Sequence, residues 1–302
     1  MAAPLISVLI DTYNSAHFIE EAIDSVLGQD FPPEQREILV VDDGSTDDTA
    51  ARVRKYGDRI QFFRKANGGQ ASALNFGIAR VQGEIVAFLD GDDYWLPAKL
   101  CRIAAEFELH PDAGMVYHNF FYQRDGAPPS PGQLPESGLA GLSGFIPDSR
   151  KSLLSYDIPL CAALAFRRSV LQRLLPIPES LVVQADAHLS ACVIFLAPIA
   201  YISEPLAVHR VHEGNLWNWA GNTPPGALVF AGDPAARARL VRRIATTRAI
   251  AAAVRQWLEK SGFDVNRPDL RAYLAQWEIK SRASASSALC NAGKLISQKS
   301  AR

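Results

Sequence analysis

The stretch that decides the fold is EIVAFLDGDD, residues 84–93, in which a short apolar run ends abruptly in acidic residues. The apolar run is too short for a helix and predicts a buried strand. Asp90, Asp92 and Asp93 follow it, and Gly91 lets the backbone turn and a ligand approach closely. The pattern therefore predicts a strand whose carboxyl end carries several carboxylates.

Apolar runs alternate with amphipathic segments on both sides of this stretch, from Leu5 to His118. Such alternation is typical of βαβ units and predicts an α/β fold with a mostly parallel central sheet flanked by helices. The predicted strands are Leu5–Ile10, Glu37–Val41, Arg59–Phe63 and Glu84–Leu89. Because open α/β sheets bind ligands beyond the carboxyl ends of their strands, residues 11–14, 42–45 and 90–93 are expected to meet at one edge.

The composition predicts a folded protein, with 48% hydrophobic and 21% charged residues. The formal net charge of -1 gives no general attraction for nucleic acid, so no nucleic-acid partner is expected. The four cysteines match neither zinc-ligand spacing nor a disulfide framework and are interpreted as free thiols. No leader and no membrane-spanning stretch is visible, which favours a cytoplasmic location.

Asp90 and Asp92, two residues apart at a strand end, offer the oxygen ligands that Mg²⁺ or Mn²⁺ shares with phosphate. The alternative is a solvated acidic turn that caps the helix opened by Pro97. The acidic triplet alone does not decide between these two interpretations.

Four spaced motifs together resemble the family-2 glycosyltransferases of the GT-A fold; they lie at residues 4–14, 41–47, 67–77 and 90–93. The resemblance is close over residues 1–120, looser as far as Arg210-Val211-His212, and does not include the tail after residue 230. It implies a GT-A-type nucleotide-binding fold. It also implies a metal-dependent, inverting transfer of a sugar from a UDP- or dTDP-sugar to an acceptor hydroxyl.

The resemblance assigns roles to individual residues. Asp42 matches the residue whose carboxylate contacts the nucleotide base, and a carboxylate can accept the imide N–H of uracil or thymine. Asp92 matches the main metal ligand that bridges the diphosphate, with Mn²⁺ or Mg²⁺ as the implied cofactor. The expected donor-binding residues are Asp11, Thr12, Tyr13, Asp42, Lys65, Asp90 and Arg210. The expected metal ligands are Asp90, Asp92 and His212.

Asp186 is the expected catalytic base, because the acceptor hydroxyl must lose its proton as it attacks the sugar. The family usually has Glu-Asp at this place, whereas this chain has Ala185-Asp186. Structural roles remain open for several residues: Asp42 and Asp186 as helix-capping acids, Lys65 as a solvated surface lysine and His212 as a structural histidine. Asp11 stands where the family commonly has proline, threonine or serine.

The expected organisation has three parts. Residues 1–120 form the nucleotide-sugar-binding α/β region, residues 121–232 the acceptor-binding and catalytic part of the same domain, with a mobile loop near 124–150, and residues 233–302 a helical C-terminal extension. The extension contains a basic amphipathic helix with arginines at 237, 239, 242, 243 and 248. Such a helix can lie on anionic lipid at the inner face of a membrane, pack on its own domain, or form a homodimer. The expected acceptor is a glycan or a lipid-linked molecule of cell-surface polysaccharide synthesis.

Two other functions are weighed. A catalytically inactive sugar-nucleotide-binding or scaffold protein stays open until turnover is measured. A nucleotidyltransferase is disfavoured because residues 11–14 are not the glycine-rich basic loop that holds a triphosphate. A dehydrogenase is disfavoured because no Gly-x-Gly-x-x-Gly follows the first strand.

Overall fold

A computed structural model describes residues 5–124, 127–131, 144–146, 160–212, 215 and 234–277. The chain forms two compact units, Met1–Arg210 and Val211–Arg302. The sheet and the acidic residues singled out above belong to the first unit. The predicted mobile loop near 124–150 and the predicted boundary at residue 232 lie largely outside the described residues, so both stay predictions.

The first part of this unit alternates strands and helices as predicted. Its strands are β1 (Ile6–Thr12), β2 (Arg36–Asp42), β3 (Gln61–Arg64) and β4 (Ile85–Asp90), and its helices are α1 (Ile19–Leu27), α2 (Thr49–Arg54), α3 (Gln70–Ile78) and α4 (Lys99–Leu109). Strand β1 pairs in parallel with β2 and β4, and β2 pairs in parallel with β3. The predicted parallel core of the sheet is thereby confirmed.

Antiparallel strands extend the sheet beyond β4. They are β5 (Tyr94–Trp95), β6 (Met115–Arg124), β7 (Ser130–Pro131), β8 (Gly144–Ile146), β9 (Leu164–Arg167) and β10 (Ile199–Val211), with helices α5 (Arg168–Leu171) and α6 (Ala185–Val193) between them. The strand order is β3-β2-β1-β4-β9-β6-β10-β5, with β7 beside β6 and β8 beside β10. Strand β9 pairs antiparallel with both β4 and β6. Antiparallel neighbours do not require the crossover helix that parallel strands require.

Strand β1 is the centre of the core. Val8, Leu9 and Ile10 are fully buried, as expected for a strand covered on both faces. Each such side chain contributes about 1.5–3 kcal/mol by leaving water. Helix α3 packs so closely on β1 that a Cβ at Gly77 would lie 2.3 Å from Leu9 Cδ1. In Gly77→Ala, either the Leu9 side chain or α3 would therefore have to move.

The second unit is helical where it is described, as predicted. Helix α7 (Pro234–Lys260) is followed by a helical stretch at 268–277. Val254, Leu258 and Leu274 are buried, whereas Arg242 and Arg248 are exposed. The side chains of the other three predicted basic residues lie outside the described part. Within that part of the chain, no helix is both long and apolar enough to cross a membrane.

Candidate active site

The register of the parallel strands brings the predicted acidic residues together. Asp11 on β1 lies beside Asp90 on β4, and Thr12 lies beside Asp42 on β2. The Gly91 N–H donates to the Asp11 carbonyl at 2.9 Å. A Cβ at Gly91 would lie 2.5 Å from Thr12 Oγ1, so the turn after β4 needs glycine. The three polar clusters therefore meet at one edge, as the sequence predicts.

The carboxylates at this edge are buried and repel one another. Burial, and then the charges of Asp186 and Asp92, raise the pKa of Asp11 to about 8. Burial and the neighbouring Asp11 and Asp93 raise the pKa of Asp90 well above its usual value. The Asp11 Oδ1 atom is buried and has no hydrogen-bond partner among the described residues. A divalent cation would compensate this charge, so the donor set fits an oxygen-bound Mg²⁺ or Mn²⁺.

A thiol and a lysine lie beneath the carboxylates. Ligand atoms of Asp11, Asp90 and Cys161 lie within 4.8 Å of one another, and burial followed by the charge of Asp90 raises the pKa of the Cys161 thiol well above its usual value. The buried Lys99 ammonium donates to the Ala162 carbonyl at 2.5 Å. Burial lowers the pKa of Lys99 well below its usual value, although Cys161 and the nearby carboxylates act in the opposite direction. A neutral thiol is a poor ligand for Mg²⁺ or Mn²⁺, so the carboxylates remain the expected ligands.

Asp93 anchors the turn rather than facing a ligand. Its buried carboxylate contacts His209 Nδ1 at 3.0 Å and accepts the backbone N–H of Arg210 at 2.9 Å. Burial alone would lower the pKa of His209, but Asp93 outweighs that effect and raises it. The His209 ring, on β10, is therefore held against the Asp93 carboxylate. Sequence reasoning missed His209, because strand pairing between distant segments creates this contact.

Arg210 braces the loop that carries Asp92. Its guanidinium donates to the Asp92 carbonyl at 2.9 Å and forms an ion pair with Glu21. It also lies 4.5 Å from the centre of the Tyr94 ring and 5.3 Å from that of Phe18. These contacts hold Asp92 in place through its backbone. The predicted contact of Arg210 with donor phosphate stays a prediction.

Asp42 is fully buried at the end of β2. Its Oδ1 accepts the Ser45 N–H at 2.9 Å, and its Oδ2 lies 3.2 Å from Arg64 Nε. Tyr13, the residue expected beside the base, is exposed over 40% of its surface. The Asp42–Arg64 pair was missed from sequence, although the parallel pairing of β2 with β3 places the two residues side by side. The Asp42 carboxylate is thus held in place by Ser45 and Arg64.

Lys65 belongs to the supporting network of this pocket. Its ammonium donates to Asp43 Oδ1 at 2.7 Å, and the same carboxylate accepts the backbone N–H groups of Gly68 and Gly69. Asp43 is buried, so it fixes the loop before α3 from within. A direct contact of Lys65 with the donor stays a prediction. Asn67 and Asn75 also donate to backbone carbonyls, those of Asp43 and Ile177.

Asp186 lies in the first turn of α6, where it is nearly fully buried. Burial raises its pKa to about 6, although backbone N–H groups at the helix start and the charge of His209 act in the opposite direction. Its charge also raises the pKa of Asp11, so the two carboxylates are near neighbours. The position suits a base that exchanges a proton near neutral pH. His212 belongs to the second unit, and its assignment as a metal ligand stays a prediction.

The comparisons with known proteins agree with this geometry. The sequence model of glycosyl transferase family 2 matches residues 7–175. An uncharacterized glycosyltransferase of Nostoc sp. is 36% identical over 215 residues, which cover 70% of this chain and 66% of that protein. The chain thus spans about two thirds of that relative's length.

Two solved structures share the fold. The structure of S. aureus TarS 1–349 in complex with UDP matches with a TM-score of 0.62 and 22% identity, over 90% of this chain and 70% of that one. The mannosyltransferase PcManGT from Pyrobaculum calidifontis, in complex with GDP-Man and Mn²⁺, matches with a TM-score of 0.58 and 21% identity, over 100% of this chain and 81% of that one. At these identities the likeness supports the fold only.

Proposed function

The chain belongs to glycosyl transferase family 2, and from this membership we propose that it transfers a sugar, with inversion, from a UDP- or dTDP-sugar to an acceptor hydroxyl. The observation that carries the proposal is the meeting of Asp11, Asp90, Asp92 and Asp186 beside the buried Asp42. Burial and mutual repulsion raise the pKa of Asp11 and Asp90. Raised pKa values in a cluster of carboxylates are typical of a site that binds a cation.

The Asp42 pocket favours a uracil or thymine base. Oδ1 of Asp42 already accepts the Ser45 N–H and Oδ2 lies next to Arg64, so the carboxylate suits a base with one N–H to donate. The imide N–H of uracil or thymine meets this condition, and the Arg64 guanidinium can donate to a base carbonyl. Cytosine presents an acceptor at the same position and would face a buried carboxylate. Guanine has two adjacent N–H donors, which pair best with both oxygens of a carboxylate. Both Asp42 oxygens already have neighbours, so guanine is disfavoured.

Asp90 and Asp92 would hold Mn²⁺ or Mg²⁺ together with the donor diphosphate, with Asp11 beside them. The bound cation supplies compensation for the negative charge of the leaving nucleoside diphosphate. Arg210 keeps the Asp92 backbone in place through its 2.9 Å bond to the carbonyl. Asp93 anchors the same turn on His209. Two basic side chains, those of Arg210 and His209, therefore hold the turn that carries Asp92.

Asp186 acts as the base in the proposed mechanism. Its carboxylate accepts the proton of the acceptor hydroxyl while the oxygen attacks the anomeric carbon and the bond to the diphosphate breaks. A pKa of about 6 leaves the group ionised at neutral pH yet able to take a proton. Because attack and departure occur on opposite faces of the sugar, one displacement inverts the anomeric configuration. No sugar attached to the enzyme is required.

The wider context is also proposed. The acceptor is a glycan or a lipid-linked molecule of surface polysaccharide synthesis, and the site of action is the cytoplasm or the inner face of a membrane. The exposed Arg242 and Arg248 on α7 support contact with anionic lipid, or a homodimer through the C-terminal helices. Residues 1–120 would bind the nucleotide sugar, and residues 121–232 the acceptor.

The test is nucleotide binding with and without metal. Calorimetry of the full chain with UDP, dTDP, GDP and CDP, in Mn²⁺, Mg²⁺ or EDTA, should show tight binding only of UDP or dTDP with metal. Asp92→Ala should abolish the metal-dependent part of the binding. Asp58→Ala, at an exposed aspartate outside the acidic edge, is the control and should bind as the wild type does. Absence of binding to every nucleotide by the folded protein would refute the donor assignment and favour a scaffold protein.

A further inference from the structure

The start of α3 docks on the segment that leads into α6. The Gln70 backbone N–H donates to the Val182 carbonyl at 3.0 Å, and the Ala71 N–H donates to the Leu181 carbonyl at 3.3 Å. A Cβ at Gly69, where φ is +83°, would lie 2.6 Å from Val182 Cα. The two backbones are therefore in direct contact, and a side chain at position 69 would separate them.

The Gln70 side chain continues this contact into the acidic edge. Its Nε2 donates to Asp90 Oδ1 at 3.2 Å, and its Oε1 accepts the Ala185 N–H at 2.9 Å. The orientation of the amide follows from chemistry, because only the NH₂ group can donate to a carboxylate and only the oxygen can accept an N–H. A hydrogen bond from Gln70 also lowers the pKa of Asp11, so the amide faces both carboxylates of the paired strands.

Helix α6 has no capping side chain at its N-cap position, so the Gln70 oxygen provides one of the bonds at the helix start. Gln184 at the N-cap position adopts a left-handed conformation with φ of 57° and makes no side-chain capping bond. The Ala185 N–H is one of the helix's unpaired first-turn donors, and Gln70 satisfies it from a segment 115 residues away. Asp186 follows directly. A side chain of α3 thus helps to fix the start of the helix that carries the proposed base.

We propose that Gln70 is a positioning residue. It fixes the distance between Asp90, a carboxylate of the donor-binding site, and Asp186, the proposed base. The inference rests on the proposed function, because it takes Asp186 as the base. Asp43 extends the link toward the nucleotide base, since its carboxylate holds Gly68 and Gly69 immediately before Gln70 and its neighbour Asp42 lines the base pocket. Loss of the link should therefore affect the transfer step more than nucleotide binding.

Two substitutions of Gln70 separate its two hydrogen bonds. Gln70→Met keeps the length and volume and removes both bonds. Gln70→Glu keeps an acceptor for the Ala185 N–H but replaces the donor to Asp90 with a carboxylate. The matched control is Asn75→Ala, because Asn75 is an amide on the same helix that bonds both backbone groups of Ile177, in the segment before α6, without touching a carboxylate.

The measurements are kcat and KM for turnover of the best donor, the Kd of UDP with Mn²⁺ by calorimetry, and the unfolding temperature. We expect both Gln70 variants to lose about 10- to 100-fold in kcat, the effect of a misplaced reacting group, with the Kd changed by less than about threefold. Asn75→Ala should lower the unfolding temperature and leave kcat within about threefold of the wild type. Gln70→Glu adds a carboxylate beside Asp90 and should unfold at a lower temperature than the wild type, so kcat is measured well below the unfolding temperature of each variant, which separates lost activity from lost folding.

Three outcomes would overturn the inference. Wild-type kcat in either Gln70 variant, with an active wild type, removes the positioning role and leaves the proposed function intact. Equal losses of kcat in Gln70→Met and Asn75→Ala make the contact purely structural. A wild type that binds UDP but turns over no donor refutes the proposed function itself, and the inference with it.

Discussion

Asp11→Asn should stabilise the metal-free protein at alkaline pH. Burial, and then the charges of Asp186 and Asp92, raise the pKa of Asp11 from 3.8 to about 8. Between these values the folded chain keeps a proton that the unfolded chain has released. The free energy of unfolding therefore falls as the pH rises through this window, and the loss is complete above the folded-state pKa. Asparagine has nearly the same shape and no charge, so the variant lacks this loss.

The size of the effect follows from the shift. Four pKa units at 1.36 kcal/mol each set a ceiling of about 5 kcal/mol. Asp186 is also partly protonated near neutral pH, since its own pKa is raised to about 6, so the two carboxylates share the repulsion. We therefore expect the stability difference between variant and wild type to widen by about 2 kcal/mol from pH 5 to pH 8.

The assay is urea unfolding of both proteins in EDTA at pH 5 and pH 8, followed by circular dichroism. Asp58→Asn, at an exposed position, is the control and should follow the wild type at both pH values. Mn²⁺ with UDP should raise the stability of the wild type more than that of Asp11→Asn, because the cation offsets the carboxylate charge only where that charge is present. Parallel pH profiles for Asp11→Asn and the wild type would refute the electrostatic account of this edge.

Three further predictions concern nucleotide binding and turnover. Asp42→Asn should weaken UDP binding by about 10- to 100-fold and reduce the preference over CDP, because it removes a charged acceptor from the base pocket; unchanged selectivity in calorimetry would contradict the base assignment. The kcat/KM of the wild type should rise with pH up to about 6 and then level off as Asp186 loses its proton. A bound cation should lower the pH at which the profile levels off. A kcat/KM that instead falls as this group ionises would count against Asp186 as a base. Arg210→Lys should weaken UDP binding in Mn²⁺ by about tenfold, because lysine cannot both lie flat against Tyr94 and bond the Asp92 carbonyl. Equal affinities would show that UDP binding does not depend on the contact between Arg210 and the Asp92 carbonyl.

The sequence predicts the parallel core well because local patterns specify it. The strand assigned to Glu84–Leu89 is observed as Ile85–Asp90, and the strand assigned to Glu37–Val41 is observed as Arg36–Asp42. Short apolar runs, the following acidic residues and the helical periodicity all lie within single segments. The convergence of residues 11–14, 42–45 and 90–93 follows from parallel pairing alone.

The contacts that sequence missed join distant segments. His209 reaches Asp93 across 116 residues, and Gln70 reaches Ala185 across 115. Neither residue carries a local signal, because their partners are set by antiparallel pairing and by the docking of α3 on the approach to α6. Arg64 is an intermediate case, since the predicted neighbouring strands would have placed it beside Asp42 once their register was known.

The most direct test of the central claim compares the wild type with Asp186→Asn in transfer from the donor that binds best. We expect donor binding within about threefold of the wild type and a kcat lower by about 10²- to 10⁴-fold, the usual contribution of a general base. Nuclear magnetic resonance of the wild-type product should show an inverted anomeric centre. A variant that transfers sugar at the wild-type rate, or a product of retained configuration, would contradict a single displacement with Asp186 as the base.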